Sequence, residues 1–334
     1  MVDLIKKLAL LDGTSGGEDA VREFILGEIS PYCTCKTDPL GNIIAEKKGK
    51  KAPAKRILLD AHMDEVGLII TSVTEDGFLR FKTLGGINTS ALMFRAVRIN
   101  GNSGGVIRGK PIHLMHGEEQ EKLPEADSLY IDIGAASKEE TLSAVSPGDR
   151  AVIVSDFTVS GNKLISKALD DRIGCAILIK LLREYDEYDY TVTFTVQEEI
   201  GLRGAKTATY SVRPDAAIIV ESTTAADVAG VPDDKTVCKL GRGAAVSFMD
   251  RATVYDREYY NAALDSGIAV QSKAAVAGGN NAGSVHLSRG GVRTLAISVP
   301  CRYIHTNSSV ADLNDVNAAF ELCRYMIKYI ADDK

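Results

Sequence analysis

The sequence predicts an α/β fold interrupted by a small all-β insert. Three observations predict it. Apolar strand-like runs alternate with helical periodicity at both ends of the chain, and between about Val66 and Gly161 the texture changes to short strands and Gly-rich turns. The length, 334 residues, also exceeds one ordinary core. Residues 1–66 and 161–334 are therefore expected to form one discontinuous domain, and residues 67–160 a second.

In chain order, an opening helix is cut by Gly13-Thr14-Ser15-Gly16-Gly17, and Ser15 and Glu18 stand at capping-box spacing ahead of a second helix. Asn42-Ile43-Ile44-Ala45 and Arg56-Ile57-Leu58-Leu59-Asp60-Ala61 read as strands, the second ending at His62. In the insert, Gly85-Gly86, Gly101-Asn102 and Gly104-Gly105 mark turns between short strands. A helix follows from about Asp171 to Glu184, then strands over Thr191–Val196, Ala216–Val220 and Thr294–Val299. The last helix, from about Asn314 to Ile330, places Val316, Phe320, Cys323, Ile327 and Ile330 on one face, so it packs on the sheet.

A net charge of −6 supplies no basic stripe for a nucleic-acid backbone or an anionic membrane, and zero Trp leaves little to stack on bases or sugars. The first residues never reach the length of a signal or membrane-spanning segment, which points to the cytoplasm. Six scattered cysteines are expected as reduced thiols; Cys33 and Cys35 stand too close to close an unstrained bridge.

The informative pattern is positional. His62, the Glu198-Glu199 pair and Glu221 each stand at the carboxyl end of an apolar strand, and His305 follows another within a few residues. In open α/β sheets that edge is where ligands bind. Imidazoles and carboxylates without Cys form a donor set suited to zinc, cobalt or manganese. Asp64, two residues after His62, is placed to orient its imidazole. Asp170 and Asp171 open a helix, where one can cap while the other binds. Consecutive glutamates point to opposite faces of a strand, so a common site requires a turn there, which Gly201 permits. One Glu could then hold an ion while its neighbour takes a proton from water. His113 and His116 in the insert, and His286 after a Gly-rich stretch, are weaker candidates, read as packing, surface or supporting residues. That stretch lacks the lysine of a phosphate loop.

Several segments together resemble the M42 family of metallo-aminopeptidases. They are Ala61-His62-Met63-Asp64-Glu65-Val66-Gly67, Lys167 to Gly174, Val196 to Ala205, Glu221 to Asp227, Arg302-Tyr303-Ile304-His305 and Leu129 to Ala135, and the likeness covers nearly the whole length. The resemblance implies a catalytic α/β sandwich of zinc-peptidase type with a β insert used in subunit contact. It implies two divalent metal ions, zinc or cobalt first and manganese next. His62 and Glu221 would hold one and Glu199 and His305 the other, with Asp170 bridging, Glu198 as general base and Asp64 orienting His62. The implied reaction is hydrolysis of the N-terminal bond of short peptides by a homo-oligomer, extending to a tetrahedral dodecamer. Glycoside hydrolysis and a non-catalytic scaffold are the alternatives. Two departures stand out: Glu221 where many relatives have Asp, and Asn280-Asn281 where many have Thr-Asp, an expected loss of negative charge near the site.

Overall fold

The computed structural model describes residues 1–114, 116–117, 125–276 and 278–332. Residue 115 and residues 118–124 of the insert lie outside the described residues. The chain opens with α1 (Val2–Leu10) and α2 (Asp19–Ile29), followed by β1 (Thr34–Thr37), β2 (Ile43–Lys47) and β3 (Ile57–His62). Strands β4 (Gly67–Val73), β5 (Leu79–Leu84), β6 (Ala96–Ile99), β7 (Ser103–Arg108), β8 (Tyr130–Asp132) and β9 (Arg150–Ile153) close a barrel, with α3 (Lys138–Ala144) between the last two. Leu68, Ile70, Leu79, Val97, Ile99, Ile107 and Ile131 fill it as a hydrophobic cluster of its own.

The chain then returns to the first sheet with β10 (Thr158–Ser160), β11 (Lys163–Ser166), α4 (Leu169–Glu184), β12 (Tyr190–Thr195), α5 (Arg203–Val212), β13 (Ala216–Thr224), β14 (Ala244–Val246), α6 (Arg257–Leu264), β15 (Val270–Ser272), α7 (Ala282–Val285), β16 (Arg293–Arg302), β17 (Ser309–Asp312) and α8 (Leu313–Asp332). The sheet order is β1-β2-β12-β3-β13-β16-β17-β11-β10, with β14 joining β15 to β16. The central strands β12, β3, β13 and β16 run parallel, so their carboxyl ends share one edge.

Helices cover both faces of this sheet, and strand alternation sorts the side chains between them. Ile57, Leu59 and Ala61 pack with α1, α2, α4 and α8. Leu58, Ala217 and Ile219 pack with α5 and α7. By the same alternation Asp60 falls on the α5 and α7 side. The face predicted for the last helix is buried along its whole length. No helix among the described residues is long and apolar enough to cross a membrane.

Three local expectations are corrected. Ser15 does not cap α2; its Oγ donates to Asp64 Oδ2 at 2.6 Å, and Glu18 accepts from the Gly16 and Gln197 amides instead. Glu221 is not at a strand end, because β13 continues through Thr224, paired residue for residue with β16 up to Cys301. Gly104 and Gly105 mark no turn; they lie within β7, paired with Arg98 and Val97 of β6. The helix expected from about Asp171 is present, since α4 has non-helical dihedrals at Asp170 and Asp171 and regular turns after them.

Arg172, fully buried, ties the start of α4 to the loops around it. Its guanidinium donates to the carbonyls of Met63 (2.8 Å), Leu8 (2.6 Å) and Gly13 (3.3 Å). Gly13 is required there, since a Cβ would lie 2.7 Å from Arg172 Nη2. Buried Lys167 reaches Glu65 at 2.6 Å and the Leu11 carbonyl at 2.9 Å. Glu65 is thus shared between two cations, which satisfies a buried carboxylate and fixes the segment carrying His62 and Asp64.

Candidate metal centre

His62 closes β3 and is almost wholly buried. Its Nδ1 lies 3.0 Å from the Asp64 carbonyl and 3.4 Å from Asp64 Oδ1. With a proton on Nδ1 held there, the Nε2 lone pair faces the site. Nε2 is 3.3 Å from Asp170 Oδ1 and 3.6 Å from Glu221 Oε1.

Asp64 does more than orient the imidazole. Oδ1 accepts the Glu198 amide at 2.9 Å, and Oδ2 accepts the Glu199 amide at 3.2 Å as well as the Ser15 hydroxyl. One carboxylate therefore holds both the first histidine and the turn that carries the glutamate pair. That turn is what lets two consecutive side chains enter one site. Gln197 takes φ 56° and Gly201 φ 121°, and the amides of Gly201 and Leu202 close back on the Glu198 carbonyl at 2.8 and 2.9 Å. At Gly201 any side chain would be strained.

His305 lies beyond β16 with φ 61°, and its Nδ1 is 2.9 Å from the Gly86 carbonyl, contributed by the loop after β5. The insert thus orients a histidine of the other sheet. His305 Nε2 is 3.3 Å from Glu199 Oε2 and 3.5 Å from Asp170 Oδ2. Asp170 stands between the two imidazoles, one oxygen toward each, while Asp171 turns away to accept the amides of Gly174 (3.1 Å) and His62 (3.3 Å). Asp170 thus meets both imidazoles, while Asp171, beside His62 and Glu221, spends its oxygens on backbone amides.

The electrostatics follow from burying many acids with few bases. Burial, reinforced by neighbouring acids, pushes Glu199 and Glu221 well up, and Glu198 to about 7. Burial alone would lower His305, but Asp170 and Glu199 outweigh it and raise it to about 9. His62 moves the same way, toward the charged form, with Glu221 and Asp170 overcoming burial. Asp170 is held well down: burial would raise it, but His305 and His62 on either side prevail. Glu221 Oε2 is buried with no hydrogen-bond partner among the described residues. Groups of potential ligand atoms lie within 4.8 Å of one another in His62, Asp171 and Glu221, and in Asp170, Glu199 and His305. A surplus of carboxylates and an orphaned buried oxygen is what divalent cations would neutralise.

These residues border a cavity of about 470 Å³, whose lining includes Asp170, Glu198, Glu199, Glu221, Asn280 and His305. A family model described as M42 glutamyl aminopeptidase matches residues 41–322. The chain belongs to the peptidase M42 family. Membership makes it a hydrolase of the aminopeptidase class. A provisionally named aminopeptidase of Acetivibrio thermocellus is 40% identical over 331 residues, 96% of this chain and 97% of its own. Among solved M42-like structures, the TET aminopeptidase of Thaumarchaeota archaeon SCGC AB-539-E09 is 34% identical with a TM-score of 0.94, covering 99% of this chain and 96% of that one. The TET1 peptidase of Pyrococcus horikoshii, described as assembling into a tetrahedron or a large octahedral shell, is 34% identical with a TM-score of 0.86, over 97% and 98%.

Against this M42 frame the Asn280-Asn281 departure is corrected. Asn281 does not face the cavity; its amide donates to Asp60 Oδ2 at 2.7 Å and to Thr195 Oγ1 at 2.9 Å beneath the sheet. A carboxylate there would meet Asp60 directly, so the amide suits this chain's interior. Asn280 lines the cavity but is held by Tyr255 at 3.1 Å and by the Ala282 amide at 2.8 Å. His286 is a helix-end residue, its Nδ1 2.6 Å from the Ala282 carbonyl, and His113 and His116 are exposed in the insert. None of these three histidines joins the groups of potential ligands among the described residues. Sequence reasoning missed Gly86 as an orienting carbonyl, and it missed Arg251 and Lys273 in the cavity wall. Nothing local marks them, since each is an ordinary residue of a loop or a short strand's end.

Proposed function

We propose that this M42 peptidase carries two divalent metal ions and removes the N-terminal residue of short peptides. His62 and Glu221 would hold one ion, Glu199 and His305 the other, and Asp170 both. The observation that carries the reading is the seat of Asp170, with Oδ1 3.3 Å from one imidazole and Oδ2 3.5 Å from the other. Zinc, cobalt or manganese suits this nitrogen and oxygen set. When bound, such ions polarise a carbonyl and make water a nucleophile near neutral pH.

Glu198 borders the cavity, and its carboxylate makes no hydrogen bond or ion pair among the described residues. It is free to take a proton from the attacking water and return it to the leaving amine. Asp64 fixes the imidazole and the glutamate turn together, so base and ligands keep one geometry. The acidic end of the cavity favours a free α-amino group, which an internal peptide bond does not offer.

Glycoside hydrolysis fits less well. Ligand atoms of His62, Glu198 and Glu199 lie within 4.8 Å of one another, whereas glycosidase carboxyls stand about 5–9 Å apart across the sugar. A scaffold role leaves the full set of acids and imidazoles without a purpose. The deciding assay is hydrolysis of aminoacyl chromogenic substrates and of N-blocked peptides before and after chelation. Free N-termini should be cleaved, chelator should abolish the activity and divalent ions should restore it. Activity that survives chelation, or equal cleavage of blocked peptides, removes the reading.

We also propose that residues 67–160 form a domain inserted into the catalytic domain of residues 1–66 and 161–334, and that this insert joins subunits. Its support is the barrel's separate core and an exposed Phe94, 64% accessible in the single chain. A tetrahedral dodecamer like the assemblies of the TET relatives is the proposed form. Sedimentation as a monomer at micromolar concentration would refute it. All six cysteines are unpaired, in keeping with a reducing compartment, and the cytoplasm is the proposed location.

A further inference from the structure

The turn that carries the glutamate pair lies beyond the strand ladder, and side chains take the ladder's place. β12 ends at Thr195, and each of the next four backbone amides donates to a side-chain oxygen. Val196 donates to Asn42 Oδ1 at 2.9 Å and Gln197 to Glu18 Oε1 at 3.1 Å, while Glu198 and Glu199 use the two oxygens of Asp64. The carbonyls of Val196 and Gln197 accept the amides of Gly204 and Arg203 at 3.0 and 3.2 Å. Three side chains from separate segments thus set the path of the backbone through the proposed base.

Glu18 stands out among them. Its Oε1 also accepts the Gly16 amide at 2.7 Å, so one oxygen pins the loop before α2 to the glutamate turn. The side chain is 4% exposed, and no cation pairs with it among the described residues. Burying an acid without a cation is costly, and the amides it accepts are what offset that cost. Glu18 is not in the groups of potential metal ligands among the described residues.

Its bond falls on a constrained residue. Gln197 has φ 56°, a left-handed conformation that such a side chain adopts only where the surroundings hold it. Relaxation at Gln197 would rotate the peptide that leads to Glu198. Glu199 resists that movement, because its amide is held by Asp64 and its carboxylate stands 3.3 Å from His305. The Glu198 carboxylate has no hydrogen bond or ion pair among the described residues, so its aim depends on the backbone beneath it.

We propose that Glu18 is a positioning residue for the hydrolysis: by accepting the Gln197 amide it aims the Glu198 carboxylate, and it touches neither substrate nor metal. This rests on the reading of Glu198 as the base.

Two substitutions separate reach from charge. Glu18→Gln keeps an accepting oxygen on an arm of the same length and loses the charge; Glu18→Asp keeps the charge on an arm one methylene shorter. Kinetics on metal-loaded protein with an aminoacyl chromogenic substrate, metal analysis and circular dichroism are compared with wild type. Glu18→Asp should lower kcat about 100-fold, the cost of misplacing a reacting group by about 1 Å, with KM and metal content within about threefold of wild type. In Glu18→Gln all three should stay within about threefold. An Asp variant with normal kcat, a Gln variant as slow as the Asp variant, or a fall in kcat matched by loss of metal overturns the proposal. Should Glu18→Asp fail to fold, Glu18→Ala takes its place under the same criteria.

Hydrogen exchange supplies a readout independent of turnover. The Gln197 amide should exchange at least about tenfold faster in Glu18→Asp than in wild type or Glu18→Gln, and equal exchange in all three overturns the proposal. If no substrate is cleaved, or Glu198→Gln keeps its turnover, the reading of the reaction or of the base falls. Glu18 is then judged as the anchor of the turn by hydrogen exchange alone.

Discussion

Replacing Glu198 by Gln is expected to lower kcat about 1000-fold, within the range that general acid–base catalysis supplies, while metal content stays unchanged. Glu198 lines the cavity, and its side chain is not part of the pairs through which His62 and His305 meet their nearest acids. Its backbone amide, the group that Asp64 accepts, is unaffected by the substitution. The amide side chain keeps the volume of the acid, so the turn should hold and KM should change little. Parallel metal analysis and single-turnover rates decide the matter. Turnover within about tenfold of wild type, with metal intact, would remove Glu198 from the role of base.

On the two-ion proposal, replacing Asp170 by Ala is expected to strip both metal positions together and to cost on the order of 10⁴-fold in turnover, because the ions would carry the polarising chemistry. The expectation comes from its two oxygens, one facing each imidazole. His305→Ala provides the contrast: it removes the donor that faces Glu199 and one oxygen of Asp170, so the position served by His62 and Glu221 should keep its ion. Metal content measured on both variants, with circular dichroism to confirm the fold, separates a shared ligand from an ordinary one. Two retained equivalents in Asp170→Ala would show that the residue does not bridge.

Much of the candidate site was legible because its residues come at the ends of strands that advertise themselves. Ile57 to Ala61 is a continuous apolar run, as a strand buried on both faces must be, and it delivers His62 to the sheet edge. The glutamate pair could be recognised, with its need for a turn, from strand geometry and Gly201 alone. Glu221 stands 3.6 Å from His62, though not at a strand end. Its strand runs three residues farther, because ladder bonds to β16 sustain it after the apolar run has ended. The capping-box pattern at Ser15 and Glu18 failed through competition: Asp64, distant in sequence, offers Ser15 a buried charged acceptor, and a charge-assisted bond there outweighs an exposed cap.

By itself the sequence determined the α/β alternation with its β insert, the order of strands that deliver acids and imidazoles, and which of those side chains are candidate donors, all of which depend on local periodicity and residue chemistry. Only the tertiary structure decided that Asp170 stands between both imidazoles while Asp171 accepts the amides of Gly174 and His62, that the Asp64 carboxylate also holds the Glu198-Glu199 turn, that the insert's Gly86 orients His305, and that Asn281 serves Asp60 instead of the cavity. It also decided that Lys273 is buried in the cavity wall. The physical reason is separation along the chain. These contacts join residues from tens to more than two hundred positions apart, and no local spacing encodes which buried polar groups will satisfy one another once the core has closed.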